Sequence, residues 1–195
     1  MTGVILAGGQ SRRMGFNKAF IEIDGTTIIK RAIAVFNEVF DEVFIAAGDV
    51  MLYEGLDTRV VSDVYKDAGS LGGVYTALFH STADHAFVAA CDMPFLDAAC
   101  IRKIIKTQGK FNAAVPFISN RLHPLHAFYS KRCMRHIETM LGEGNLRITD
   151  LFDRVRTRRL TIDQFAGLDI EASVVNVNTQ DELHAAIDSR GKVNG

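Results

Sequence analysis

The chain has 195 residues, 48% hydrophobic and 23% charged, with 22 Lys and Arg against 23 Asp and Glu. That is the size and balance of one α/β domain able to bury a core without disulfides or a structural metal. A net charge of -1 argues against a general nucleic-acid binder, and no run approaches the roughly 20 apolar residues of a membrane span. The opening Met1-Thr2-Gly3-Val4-Ile5-Leu6 lacks the basic start and cleavage site of a secretory signal, so a cytoplasmic protein is expected. Cys91, Cys100 and Cys133 match no CxxC spacing and read as reduced, mostly buried thiols.

Short apolar runs alternate with segments of helical period, the signature of a mostly parallel sheet covered by helices. Strands are expected at Gly3 to Ala7, Glu42 to Ala46, Arg59 to Ser62 and Ala86 to Ala90, largely apolar on both faces as strands between two layers must be. From Thr27 to Phe36 apolar residues at 28, 29, 32, 33 and 36 make a helical stripe with Lys30 and Arg31 opposite; Leu71 to His80 and Asp97 to Lys106 repeat it, with Asp97 as N-cap. Ala113 to Pro116 and Leu125 to Tyr129 flank a polar loop, Ser119-Asn120-Arg121, and predict an antiparallel pair at one edge of the sheet. A helix over Lys131 to Leu141, a strand over Thr157 to Ile162, the segment Val174 to Asn178 and a helix capped by Thr179, with Glu182 completing a capping box, finish the order. Arg190 to Gly195 are expected to fray, and no linker or repeat divides the chain.

The first strand runs into Leu6-Ala7-Gly8-Gly9-Gln10-Ser11-Arg12-Arg13-Met14-Gly15, with Lys18 three residues further on. A glycine-rich turn after a buried strand presents backbone N–H groups to an anion; Arg12, Arg13 and Lys18 add fixed positive charge. The spacing is neither GxGxxG nor a P-loop. Asp63 and Asp92 each follow a strand, where ligands of open α/β sheets bind. A bare aspartate beside a polyphosphate is repelled unless a divalent cation bridges them, so Asp92 reads as a Mg2+ ligand. His123 and His126 lie around Pro124 in an extended run, pointing to opposite sides, which argues against a shared metal. Arg154, Arg156, Arg158 and Arg159 form a basic cluster that fits either a solvated edge strand or an anionic partner.

These residues resemble the nucleotidyltransferases of the GT-A-like Rossmann class, and most closely the molybdenum cofactor guanylyltransferase family. Leu-Ala-Gly-Gly-x-Ser-x-Arg-Met-Gly-x-x-Lys is met by Leu6 to Lys18, Cys-Asp-x-Pro by Cys91 to Pro94, and Val-Asn-Val-Asn-Thr by Val175 to Thr179, so the likeness runs from about residue 3 to 188. It implies a three-layer fold like that of nucleotide-diphospho-sugar transferases. It also implies Mg2+-dependent transfer of GMP from GTP to the terminal phosphate of a molybdopterin-type cofactor, with release of pyrophosphate. Leu6, Ala7 and Gly8 would hold guanine, the Gly9 to Arg13 turn and Lys18 the phosphates, Asp63 the base or ribose side, and Asp92 the metal. Arg13, Lys18 and Asp92 would carry catalysis by holding charge, while Asn176 and Asn178 face the pterin with Arg121, His123 and Arg147 near its phosphate. The resemblance extends the partners to other cofactor-biosynthesis or molybdoenzyme-maturation proteins.

Two departures stand out. Gly69-Ser70-Leu71-Gly72-Gly73 replaces the family's Gly-Pro-Leu-x-Gly, losing the fixed φ of proline. Ile45-Ala46-Ala47-Gly48-Asp49 puts alanine where the family offers a polar side chain to the nucleotide, removing a base or ribose contact that would favour GTP over CTP. The rival readings are the same fold using CTP or another phosphate acceptor, and a nucleotide-binding regulator without turnover.

Overall fold

The computed structural model describes residues 1–8, 17–177 and 179–191. Its strands in chain order are β1 (Thr2–Leu6), β2 (Glu22–Ile23), β3 (Thr26–Thr27), β4 (Glu42–Ala47), β5 (Arg59–Ser62), β6 (His85–Ala90), β7 (Ala113–Ile118), β8 (Arg121–Leu122), β9 (His126–Ser130) and β10 (Thr157–Leu160). The helices are α1 (Ile28–Val39), α2 (Gly69–His80), α3 (Ala98–Ile105), α4 (Met134–Gly142), α5 (Leu151–Arg154), α6 (Ile170–Ser173) and α7 (Gln180–Gly191). Among the described residues an eight-stranded sheet runs β10-β7-β9-β6-β1-β4-β5, with β8 attached to β7.

The alternation of side chains along β1 explains the layers. Ile5 faces a core built with α1 and α3, including Phe36, Phe87 and Ile101, whereas Val4 and Leu6 face a second core with Leu71 and Val74 of α2 and Ile137 of α4. Burying each large apolar side chain on either face contributes about 1.5–3 kcal/mol before conformational entropy is set against it. The predicted stripe of α1 is realised, with Ile28, Ile29, Ala32 and Phe36 buried. Gly3 is required by close approach: a Cβ there would meet the ring of Phe40 and come within 2.7 Å of Phe36 Cδ1.

The antiparallel pair lies elsewhere than expected. β9 does pair with β7, Ala113 opposite Tyr129 and Ala114 opposite Phe128, but its other side is taken by β6, from His85 opposite Ser130 to Ala89 opposite His126. The edge belongs to β10, parallel to β7. A reversed strand therefore sits inside an otherwise parallel path. Beyond the β9 pairing β7 continues into a hairpin with β8, turned by Ser119 (φ 50) and Asn120 (φ 58), the two left-handed positions of a type I′ turn.

Boundaries moved where caps intervened. The strand predicted to Ile162 stops at Leu160 because Thr161 and Gln164 form a capping box that opens a 3-10 turn over Ile162–Phe165. α2 begins at Gly69 rather than Leu71, and a short 3-10 turn at Lys131–Cys133 precedes α4. At the last helix Thr179 Oγ1 accepts from the Glu182 N–H at 3.1 Å, and α7 continues to Gly191, past the expected start of fraying. Among the described residues no helix is long and apolar enough to cross a membrane. The three cysteines are free.

Candidate active site

Because β1, β4, β5 and β6 are parallel, their C-terminal ends form one rim. Leu6 pairs with Ala46 on one side and Ala90 on the other, and its carbonyl accepts the Cys91 N–H at 3.0 Å. Gly8 and Asp92 thus emerge next to each other, each two residues past a paired position. Asp63 reaches the same rim from β5: its N–H donates to Ala47 O at 3.2 Å, and its Oδ2 lies 3.2 Å from where a Cβ on Gly8 would stand. Glycine at position 8 therefore gives clearance to a carboxylate as well as an open approach to backbone. Gly48 borders the same oxygen, 3.5 Å from its own would-be Cβ.

The turn after β6 is anchored from both sides. Met93 is buried in the core, the Val177 N–H donates to Asp92 O at 2.9 Å, and Asn176 Nδ2 donates to Asp92 Oδ1 at 2.6 Å. Burial raises the carboxyl pKa of Asp92; the Asn176 hydrogen bond and the charge of Lys18 oppose that rise, and Glu182 adds to it. Asp63 is raised by burial too, against a hydrogen bond from Thr76. Carboxylates held partly out of water gain most from a nearby cation. Lys18 follows the N-cap Asn17, whose Oδ1 accepts from the Ala19 N–H at 3.1 Å, and its charge also acts on Cys91. Burial pushes the Cys91 thiol up to about 12, so it stays protonated and is a poor nucleophile.

These donors suit a hard divalent cation. Asp92 offers carboxylate oxygen with one amide on Oδ1, and among the described residues no three His, Cys, Asp or Glu gather into a cage. One carboxylate completed by the phosphates of a ligand is the way small hard cations are commonly held at nucleotide sites.

Asp92 also borders a cleft of about 640 Å3, lined by Asn176 and Val174, by Arg121 and His123, and by Leu125. Asn176, Arg121 and His123 thus meet Asp92 in one hollow. Arg147 does not border it: it is exposed on the loop after α4, 3.8 Å from Asp150. Gly9, Arg12, Arg13 and Asn178 lie outside the described residues. His126 is fully buried, edge-on to Phe87, and burial pushes its pKa down to about 3, whereas His123 opens to the cleft. The arginine cluster is largely engaged at home: Arg154 pairs with Glu143 at 2.7 Å, Arg159 with Asp153 at 3.0 Å, and Arg156 lies over the Phe111 ring. Neither the Tyr53 contact to Ala7 nor the Asn176 contact to Asp92 has a local signal in the sequence, their partners lying 46 and 84 positions away.

A family model described as a MobA-like NTP transferase domain matches residues 3–159. The chain belongs to this family. A protein of Desulfosudis oleivorans named molybdenum cofactor guanylyltransferase is 36% identical to the transferase over 189 residues, covering 95% of this chain and 94% of the relative. One of Pelotomaculum thermopropionicum, named as a probable molybdenum cofactor guanylyltransferase, is 39% identical over 183 residues, 93% of this chain and 89% of the relative. The fold matches the crystal structure of molybdopterin-guanine dinucleotide biosynthesis protein A from Archaeoglobus fulgidus with a TM-score of 0.82 at 24% identity, over 98% of this chain and 100% of the other. That agreement extends to a mixed α/β sheet that is mainly parallel, as the sequence led us to expect.

Proposed function

We propose that the transferase moves GMP from GTP to the terminal phosphate of a molybdopterin-type cofactor, with Mg2+ and release of pyrophosphate, and that it acts in the cytoplasm. The observation that carries this reading is the single rim on which Gly8, Asp63 and Asp92 meet, with Asp92 also bordering the Asn176-lined cleft. A nucleotide on the Gly8 side and a phosphate acceptor in the cleft would face each other across Asp92. Two relatives that match 93% and 95% of this chain, one named a molybdenum cofactor guanylyltransferase and the other a probable one, support GTP and this acceptor over other pairs.

On this reading an oxygen of the acceptor phosphate attacks the α-phosphorus of GTP, the bond from that phosphorus to the bridging oxygen breaks, and pyrophosphate leaves with the electron pair. A phosphate monoester is already a competent nucleophile near neutral pH, so the protein needs to position and to neutralise charge more than to activate. Gly8 offers backbone to the guanine, next to Leu6 and Ala7, whose own groups already bond Cys91, Ala46 and Tyr53, and Asp63 meets the base or ribose. Lys18, together with Gly9 and Arg13, grips the phosphates. Asn176 holds Asp92 and faces the acceptor along with Arg121 and His123, and the resemblance gives Asn178 the same substrate; Arg147 would join only at the outer end of a long substrate. Bound at Asp92, Mg2+ would supply charge neutralisation across the phosphates. Other proteins of cofactor biosynthesis or molybdoenzyme maturation would receive the product.

Incubating the protein with each NTP, Mg2+ and the acceptor, scored by pyrophosphate release, tests this. Turnover with GTP that disappears in Asp92→Ala is expected. Turnover confined to CTP, or nucleotide-induced stabilisation without pyrophosphate under any acceptor, would overturn it.

A further inference from the structure

Tyr53 belongs to none of the motifs above, yet its phenol joins the two ends of the glycine-rich segment. It closes the 3-10 turn Val50–Tyr53 between β4 and β5 and is 2% exposed. Its ring stacks on Phe20 with centroids 5.7 Å apart and enters the core shared with α1 and α3. The hydroxyl donates to Ala7 O at 3.3 Å, where the chain leaves β1, and accepts from Asn17 Nδ2 at 3.0 Å, where the chain returns. Asn17 then uses its other amide atom to cap the turn carrying Lys18. Ala7 is held from the opposite side by its N–H on Ala46 O at 2.8 Å.

A buried tyrosine hydroxyl finds some partner in most proteins, and any nearby carbonyl would serve. Here both partners are ends of the same segment, and one of them sets the helical turn under the lysine whose charge acts on Asp92. We infer that Tyr53 is a positioning residue for the nucleotide: by tying Ala7 to Asn17 it sets where Lys18 stands relative to Gly8 and Asp92. The inference rests on the GTP reading. Burial pushes the phenol up to about 12, so it remains a donor across the working pH range. Without the hydroxyl a carbonyl and an amide lose their partner in a poorly solvated place, and Ala7 is no longer tied to Asn17.

Tyr53→Phe keeps the ring stack and removes the hydroxyl alone. GTP affinity in the presence of Mg2+ is measured by titration calorimetry, beside thermal melts, for wild type, Tyr53→Phe, Asn17→Ala, Lys18→Ala and the Tyr53→Phe/Lys18→Ala double variant. Tyr53→Phe and Asn17→Ala are each expected to weaken GTP about tenfold, with KM for the acceptor unchanged, and Tyr53→Phe to add nothing once Lys18 is gone. A purely structural hydroxyl would lower the melting temperature while leaving the GTP affinity of the folded protein intact, or would contribute additively with Lys18→Ala; either result overturns the inference while the GTP reading stands. A wild-type protein that binds no GTP overturns that reading, and the inference with it.

Discussion

Removing the amide of Asn176 probes the heart of the proposed site. Asn176 Nδ2 lies 2.6 Å from Asp92 Oδ1, and of the influences that hold the Asp92 carboxyl down against burial it is the largest. A hydrogen bond to a charged acceptor contributes about 1.5–3 kcal/mol; because Asn176 is itself exposed, the lower half of that range applies. At about 1.4 kcal/mol per decade, Asn176→Ala should cost roughly ten- to fortyfold in kcat/KM. The sign with pH follows from the chemistry. Burial already holds the Asp92 carboxyl above the usual aspartate range, losing the amide raises it further, and the protonated carboxyl, which cannot hold a cation, persists to higher pH. The acid limb of pyrophosphate release should therefore move upward, with partial recovery at alkaline pH. Asn176→Asp, which sets a second carboxylate against the first, should move it further the same way. The assay is a pH–rate profile of pyrophosphate release for the three proteins. An Asn176→Ala profile superimposable on wild type, or a uniform loss with an unmoved acid limb, would refute the reasoning.

Asp63→Asn should raise the melting temperature at neutral pH while weakening GTP. Burial raises the folded pKa of Asp63 above its unfolded value, so ionisation costs the fold stability as pH rises past the ordinary aspartate value of 3.8, and an amide removes that cost; melts at pH near 5 and 8 with a GTP titration check both halves. His126, neutral in the fold with its pKa pushed down to about 3 from 6.5, gains a proton on unfolding, so stability is lost as pH falls between those values. His126→Leu should flatten that loss, read as urea midpoints at two pH values. Gly3→Ala would drive a methyl into Phe36 and Phe40 and should cost about 1–3 kcal/mol, or about 2–10 °C in melting temperature, with the remaining folded protein still able to bind GTP.

The parts of the fold readable in the sequence were those encoded locally. β1, β4 and β6 are continuous apolar runs because both their faces are covered, and Asp63 and Asp92 could be singled out because a strand ends just before each. Asp97 announced α3 by its place before an apolar stripe, and it does cap the helix, accepting from the Cys100 N–H at 2.7 Å. What escaped depends on partners far along the chain. The spacing of β7 and β9 shows that they can pair; nothing in it shows that β6 claims the other side of β9 or that β10 takes the edge. Asn176 reaches Asp92 across 84 positions, and the phenol of Tyr53 reaches Ala7 across 46. Tyr53 follows Met51 and Leu52 in a run without period, and neither its burial nor its contacts leave a local trace.

The reversed strand β9 acts as a seam. The sheet on one side of it, β6, β1, β4 and β5, brings Gly8, Asp63 and Asp92 to a common edge, and on the other side β7 with its β8 hairpin brings Arg121 to the cleft. If the proposed reading holds, the donor and the acceptor are recognised by separately encoded stretches of chain, so exchanging the hairpin between relatives should transplant a taste for a different acceptor while leaving the choice of base as it was.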